Sequence, residues 1–223
     1  MNVLEDAISK GQNTLSEYQS KKFLASHGIP VTNERLVNTK EEAIKAAEEL
    51  GFPVVLKGCG SEMTHKTEFN MIELDLRDDV SVGEAYSRIT GHKGVSIEGV
   101  LVQEMIKGER ELVVGLTRDP QFGPCVMFGL GGIFTEILND VSFRIAPLEK
   151  RDALEMAREI RGHKILDAFR GKPPVDMDVL CQALISMGNI GMEFDHVKEI
   201  DINPLIIRDD KPVAVDALVV LDV

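Results

Sequence analysis

The sequence predicts an α/β (α+β) protein built from two subdomains that face each other across a cleft. Three observations carry this expectation. Over residues 16–98, capped helical segments alternate with short apolar strands. From residue 109 onward, strands joined by tight turns prevail until two helical segments intervene. Between the two stretches, "GVLVQEMIKG" (99–108) begins apolar, turns polar and ends in glycine, as a strand does on leaving one unit for another. Small-ligand sites concentrate in clefts of this kind.

Each element follows from local signals. "MNVLEDAISKGQ" is acidic and amphipathic, and residues 1–15 read as a helical extension without the basic start and apolar stretch of a secretory signal. Ser16 and Gln19 make a capping-box pair that starts a helix over 16–27, which Gly28 and Pro30 end. Thr39 and Glu42 start a second helix, with Ala43, Ala46, Ala47 and Leu50 on one face and Gly51 as its stop. "FPVVLKG" and "MIELDL" (71–76) are strands, and Ser81 with Glu84 opens a third helix. "ERELVVGLTRD" and "GPCVMFGLGG" are strands joined by a turn at Asp119-Pro120. Residues 149–162 and 176–190 are helical, with "RGKPPVD" as the loop between them. The chain closes in a hairpin: "EIDINPLIIR", a turn at 209–211, then "PVAVDALVVLDV". The resulting division is an extension (1–15), a first subdomain (16–104) and a second (105–223).

Composition narrows the function. The chain has 223 residues, 43% of them hydrophobic, enough for one sizeable core or two smaller ones. No apolar run is long enough to cross a membrane. A net charge of −12 argues against nucleic acid as a partner, since nonspecific binding needs a basic surface to release counterions. Three scattered cysteines match neither a disulfide framework nor a zinc pattern, which points to a reducing, cytoplasmic setting.

Several residues are candidates for chemistry. Lys57 ends an apolar strand; by itself such a lysine is expected to carry its ammonium out to water along its stem, the other outcome being an anion met in the cleft. "QEM" (103–105) is either an ordinary strand end or a segment whose backbone groups read an adenine ring. "GLGG" (129–132) is either a tight turn or a loop approaching phosphate, and Thr135, Glu136, Asn139 and Arg144 follow it. "EIDINPL" with Asp216 is the strongest metal signal. Asn203 and Asp216 fall on paired strands across a short turn, and Asp216 stands among Val213, Val215 and Leu218, where an unpaired carboxylate is costly. His27, His92, His163 and His196 sit at helix ends or in polar loops and are expected to face water. His65, in "GSEMTHKTEF", follows the strand that ends in Lys57.

Taken in order, "LSEYQSKKFLASHGIPV", "AAEELGFPVVLK", "HKTEFNMIELDL", the run from "VQEMIKGERELVVGLTRDP" to "FRIAPL", and "EIDINPLII" with "AVDAL" resemble the ATP-grasp β subunit, or β domain, of ADP-forming acyl-CoA synthetases. The β subunit of succinyl-CoA synthetase is a more distant likeness. The resemblance spans about residues 14–222 and implies an ATP-grasp fold with its nucleotide cleft between two α/β subdomains. It implies a ligase subunit in the reaction acyl-CoA + ADP + phosphate ⇌ carboxylate + CoA + ATP, run through phosphohistidine. It also implies an α partner with a CoA-binding Rossmann domain and a ligase domain, assembled as α2β2.

Carried over residue by residue, Lys57 contacts nucleotide phosphates, Glu104 and Met105 hold adenine, Glu111 holds ribose, and Arg144 contacts phosphate. Asn203 and Asp216 bind magnesium, His65 shuttles phosphate, and Asp201 matches the acid that orients the phosphorylated histidine. Imidazole suits the shuttle role because it is a nucleophile largely neutral near pH 7. Two positions depart from the loop pattern: Glu62 stands in place of a proline, and Phe69-Asn70 in place of paired glycines. They leave open a nucleotide-binding scaffold or regulatory subunit without phosphate transfer. Another ATP-grasp carboxylate ligase is a third reading.

Overall fold

The computed structural model describes residues 3–61, 71–92, 97–132, 140–169 and 171–223. His65 and the loop around it, with Thr135, Glu136 and Asn139, lie outside the described residues. The chain forms two antiparallel sheets, each with helices on one face. The smaller sheet has β1 (Glu34–Val37), β2 (Val54–Cys59), β3 (Ile72–Leu76) and β4 (Gly99–Glu104) in the order β1-β4-β2-β3. The larger has β5 (Glu111–Asp119), β6 (Gly123–Leu130), β7 (Val141–Ile145), β8 (Val197–Arg208) and β10 (Ala217–Leu221) in the order β10-β8-β5-β6-β7, with β9 (Lys211–Ala214) also paired to β8.

Helix starts follow local chemistry. In α2 (Glu17–Ser26), the Gln19 N–H donates to Ser16 Oγ while the Ser16 N–H donates to Gln19 Oε1. Thr39 and Glu42 do the same for α3 (Lys40–Leu50). Two of the four orphan donors at each helix start are satisfied in this way. The third expected start moves. Helix α4 (Asp79–Thr90) is capped by Asp78, whose carboxylate accepts the Ser81 N–H at 2.8 Å. Asp caps as well as Ser and comes first in the chain, so Ser81 becomes the third helical residue.

The cores are separate. Val54, Leu56, Val100 and Val102 of the small sheet pack with Ala43, Ala47, Val82 and Ile89 from α3 and α4. The large sheet packs against α5 (Lys150–Glu159) and α6 (Met177–Glu193). The N-terminal helices α1 (Val3–Ser9) and α2 join the large core: Leu4, Leu15, Phe23 and Leu24 are buried there. Residues 13–15 run along β10, with the Leu15 N–H donating to Val219 O at 2.9 Å and the Leu221 N–H to Asn13 O at 2.7 Å. A third, small apolar cluster, Ile106, Ile206 and Val213 with Val215, lies where the connecting segment meets β8 and β9. Among the described residues no helix is long and apolar enough to cross a membrane.

One expected strand is broken. Instead of one strand over the last twelve residues, β9 and β10 are separated by a bend at Val215–Asp216. Asp216 is therefore not inside an apolar strand, and its side chain is 32% exposed. The carboxylate reaches water, so the burial penalty expected from its neighbours is largely avoided.

Candidate functional site

The bend sets Asp216 opposite Asn203. Ala217 pairs with Ile202 and Leu205 with Ala214, and between them the Val215 N–H donates to Pro204 O at 3.1 Å. Asn203 is exposed. Along β8, Asp201 stands on the same face as Asn203, because alternate residues of a strand share a face.

Lys57 comes to this bend from the other sheet. Its Nζ lies 3.7 Å from Asp216 Oδ2, and it donates to Val215 O at 3.1 Å and to Glu17 Oε1 at 2.7 Å. The expectation that Lys57 carries its ammonium to water is corrected: the residue is 4% exposed. Burial alone would depress its pKa, but the carboxylates of Glu17, Asp216 and Glu34 outweigh burial and hold it above the ordinary lysine value. The lysine thus stays cationic in a largely dry site, able to meet an anion.

The face around Asp201 is rich in negative charge. Burial pushes the Asp201 carboxyl up to about 6, helped by Glu199 and then Asp216. A buried carboxyl with other carboxylates nearby marks a place where a cation relieves repulsion. Among the described residues no group of three or more His, Cys, Asp or Glu side chains forms a metal cage. Magnesium needs none, since it takes one or two protein oxygens and fills its octahedron with water and phosphate oxygens. Asn203 and Asp216 fit that pattern.

The connecting segment is tied on both sides. Glu104 accepts from Asn33 N–H at 2.8 Å and Asn33 Nδ2 at 3.0 Å through one oxygen, and from Arg208 Nη1 at 3.0 Å through the other. Its backbone N–H donates to Asn33 O, and that of Met105 donates to Pro53 O. An adenine at this segment would meet carbonyl oxygens first, or displace the Met105–Pro53 bond. Glu111 begins β5 opposite Ile206, a member of the small apolar cluster beside the segment. Its carboxylate lies over Gly132: a Cβ there would fall 2.5 Å from Glu111 Oε2, and Gly132 has φ +65°. Both conditions call for glycine. Gly131 likewise packs on β5, donating its N–H to Glu111 O at 2.8 Å.

Arg144 is not brought to this group, which corrects its expected phosphate contact. It lies on β7, and its register row runs through Val126, Leu116, Ile200 and Val219, all buried on the helix-covered face. Asp201 belongs to the neighbouring row with Gly115, Met127 and Phe143, whose side chains point to the opposite face. Three strand spacings also separate β7 from β8, roughly 14 Å. The Arg144 guanidinium instead pairs with Glu159 of α5 at 2.8 Å.

His27 also departs from expectation: it is half-buried, with Nδ1 2.8 Å from Phe23 O and its ring packed on Phe23 and Phe194. The residues that sequence reasoning missed are Glu17, Lys21 and Glu34, while Gln103 was read only as part of a segment offering backbone groups. All four meet Lys57 or each other beneath the bend. Their available signal was the spacing Glu17, Ser20, Lys21, Leu24, a helical stripe that is buried although two of its members are charged.

Residues 6–221 match the model of a family described as an ATP-grasp domain. The chain is 41% identical to the β subunit of ADP-forming acetate–CoA ligase I of Pyrococcus furiosus, over 98% of this chain and 96% of that subunit. It is 39% identical, over 98% of its length, to ADP-forming acetate–CoA ligase I of Archaeoglobus fulgidus, of which it covers 32%. It superposes with a TM-score of 0.94 on the dinucleotide-forming acetyl-coenzyme A synthetase 1 of Ca. Korarchaeum cryptofilum in complex with coenzyme A, Ca-AMPCP and HgCl+. The identity there is 44%, over 99% of this chain and 98% of that one. A further structure of that protein holds coenzyme A and Mg-AMPPCP, with a phosphohistidine segment pointing towards the nucleotide-binding site. Two antiparallel sheets that meet at Lys57 and Asp216, together with these matches over nearly the whole length, make the chain a member of the ATP-grasp β subunits of ADP-forming acyl-CoA synthetases.

Proposed function

We propose that the chain binds ADP or ATP with magnesium between its two sheets and exchanges phosphate with the CoA site of an α partner, in the reaction acyl-CoA + ADP + phosphate ⇌ carboxylate + CoA + ATP. The observation that carries this reading is the approach of Lys57, from the small sheet, to Asp216 opposite Asn203 on the large one. Phosphoryl transfer asks mainly for alignment and neutralisation of charge. Lys57 supplies a fixed cation for the phosphate oxygens. Asn203 and Asp216 supply oxygen ligands for magnesium, which when bound neutralises phosphate charge. Glu111 faces the ribose, and the cluster Ile106–Ile206–Val213 gives the base an apolar floor beside Glu104 and Met105. His65 carries the phosphate, with Asp201 as the acid that orients it.

The α partner carries a CoA-binding Rossmann domain and a ligase domain, and the assembly is α2β2. In the Archaeoglobus relative the matching region is part of a longer chain, which fits two parts that work together. The functional boundary stays at 104/105, with residues 16–29 docked on the second subdomain through α2. The setting is cytoplasmic, in keeping with three scattered cysteines that match no disulfide framework.

The test combines the chain with its α partner and radiolabelled ATP. Acid-labile, base-stable label is expected on this chain in wild type and absent in His65→Ala. Equal label in both would remove His65 from the transfer. No label on either, with Mg-ATP still bound, would favour a scaffold subunit.

A further inference from the structure

The Lys57 ammonium shares its partner. Glu17 Oε1 lies 2.7 Å from Lys57 Nζ and 2.8 Å from Lys21 Nζ, so one carboxylate oxygen bridges two lysines. Glu17 is 3% exposed and Lys21 fully buried. Behind the bridge, Lys21 pairs with Glu34 and donates to Gln103 Oε1 at 2.8 Å, Thr32 Oγ1 at 3.2 Å and Val215 O at 3.3 Å. Glu17 and Lys21 stand on α2, which packs on the large core; Glu34, Lys57 and Gln103 stand on the small sheet. The cluster therefore pins one sheet to the other.

We propose that Glu17 is a positioning residue for Lys57, with Lys21 fixing Glu17 from behind. This inference rests on the nucleotide reading given above. A lysine stem has four rotatable bonds, so its charge is well placed only if the ammonium is anchored. Two of its three donors are committed, to Glu17 and to Val215 O. Asp216 Oδ2, at 3.7 Å, stands beyond hydrogen-bond range. The charges match this arrangement. Glu17 and Glu34 balance Lys21 and Lys57 in charge.

The test uses the full chain assembled with its α partner and compares Glu17→Gln, Glu17→Asp and Lys57→Met with wild type. Thermal unfolding gives the folded fraction of each, calorimetry the Mg-ADP affinity, and steady-state assays kcat and KM. Glu17→Gln keeps the shape and loses the charge. Per folded protein, its kcat is expected to fall by about 100-fold, the scale of a misplaced group near the chemistry. KM and calorimetric affinity for Mg-ADP are expected to stay within about threefold, because Lys57 still attracts phosphate. Glu17→Asp, which keeps the charge on a shorter arm, is expected to recover part of the loss. Wild-type kcat in folded Glu17→Gln would overturn the proposal, and so would equal losses of affinity and turnover, or identical losses in the Gln and Asp variants. Lys57→Met separates the two readings. If it keeps wild-type affinity and turnover, the nucleotide reading itself fails; if it loses them while Glu17→Gln does not, only the positioning role falls.

Discussion

Glu104 at the end of β4 and Arg208 at the end of β8 form an ion pair at 3.0 Å, joining the two sheets beside the segment that crosses between them. The Arg208 side chain is 45% exposed, so water and salt weaken the pair. Arg208→Met is expected to lower the unfolding free energy by roughly 0.5–1 kcal/mol, the range of a part-exposed pair. Urea denaturation should show this difference at low ionic strength and its disappearance in about 1 M salt. A loss that persists in high salt would assign the effect to packing of the arginine stem.

Replacing Asp216 by Asn keeps the shape of the bend and removes the charge that a hard cation prefers. Affinity for Mg-ATP is expected to fall by about ten-fold or more, the scale on which disturbed metal shells lose binding. Affinity for ATP in chelator should change far less. Superimposable Mg-ATP titrations of variant and wild type would take Asp216 out of the metal site.

Asp201 predicts a pH dependence. Burial, with repulsion from Glu199 and Asp216, raises its pKa from 3.8 to about 6, so the folded chain holds this proton more tightly than the unfolded one. The group thus supports the fold at about pH 4 and below, and that support is lost as pH rises towards 6 and above. The whole span corresponds to roughly 3 kcal/mol. Without divalent metal, Asp201→Asn should match wild type at about pH 4 and be the more stable of the two near neutrality. Chemical denaturation across this range checks the slope, and parallel curves for the two proteins would contradict the assignment.

Arg144 offers a control. Because its side chain belongs to the helix-covered face and pairs with Glu159, Arg144→Met should leave Mg-ATP affinity unchanged within about twofold. Stability should drop by about 1 kcal/mol or less, since Glu159 is 56% exposed. A marked fall in nucleotide affinity would restore the arginine to the phosphate site.

Much of this architecture could be read from short stretches. Both capping boxes, Ser16–Gln19 and Thr39–Glu42, depend on residues three apart, and the hairpin of β8 and β9 depends on one short turn. The placement of Arg144 could not be read, because its face is set by the register of β7 on β6 rather than by its distance from "GLGG". The cluster around Lys57 was hidden for a related reason. Glu17 and Lys21 lie at i, i+4 and look like a solvated pair, yet the partner that buries them is 40 residues away on β2 and another is on the bend before β10. Charged residues on a helix ordinarily mark its outer face, and only tertiary contacts reverse that sign.

The clasp between the N-terminal segment and β10 constrains the order of assembly. Ser20 Oγ accepts the N–H of Val219, 199 positions later, and Lys21 donates to Val215 O, 194 positions later. During synthesis α2 emerges nearly 200 residues before the strand on which it docks. The small sheet can close before β10 is made, whereas the larger body must wait for that strand. Contacts of such long range are slow to form. A chain cut short before residue 215 would leave Phe23, Leu24 and two lysines without their seat, a state open to proteases and chaperones.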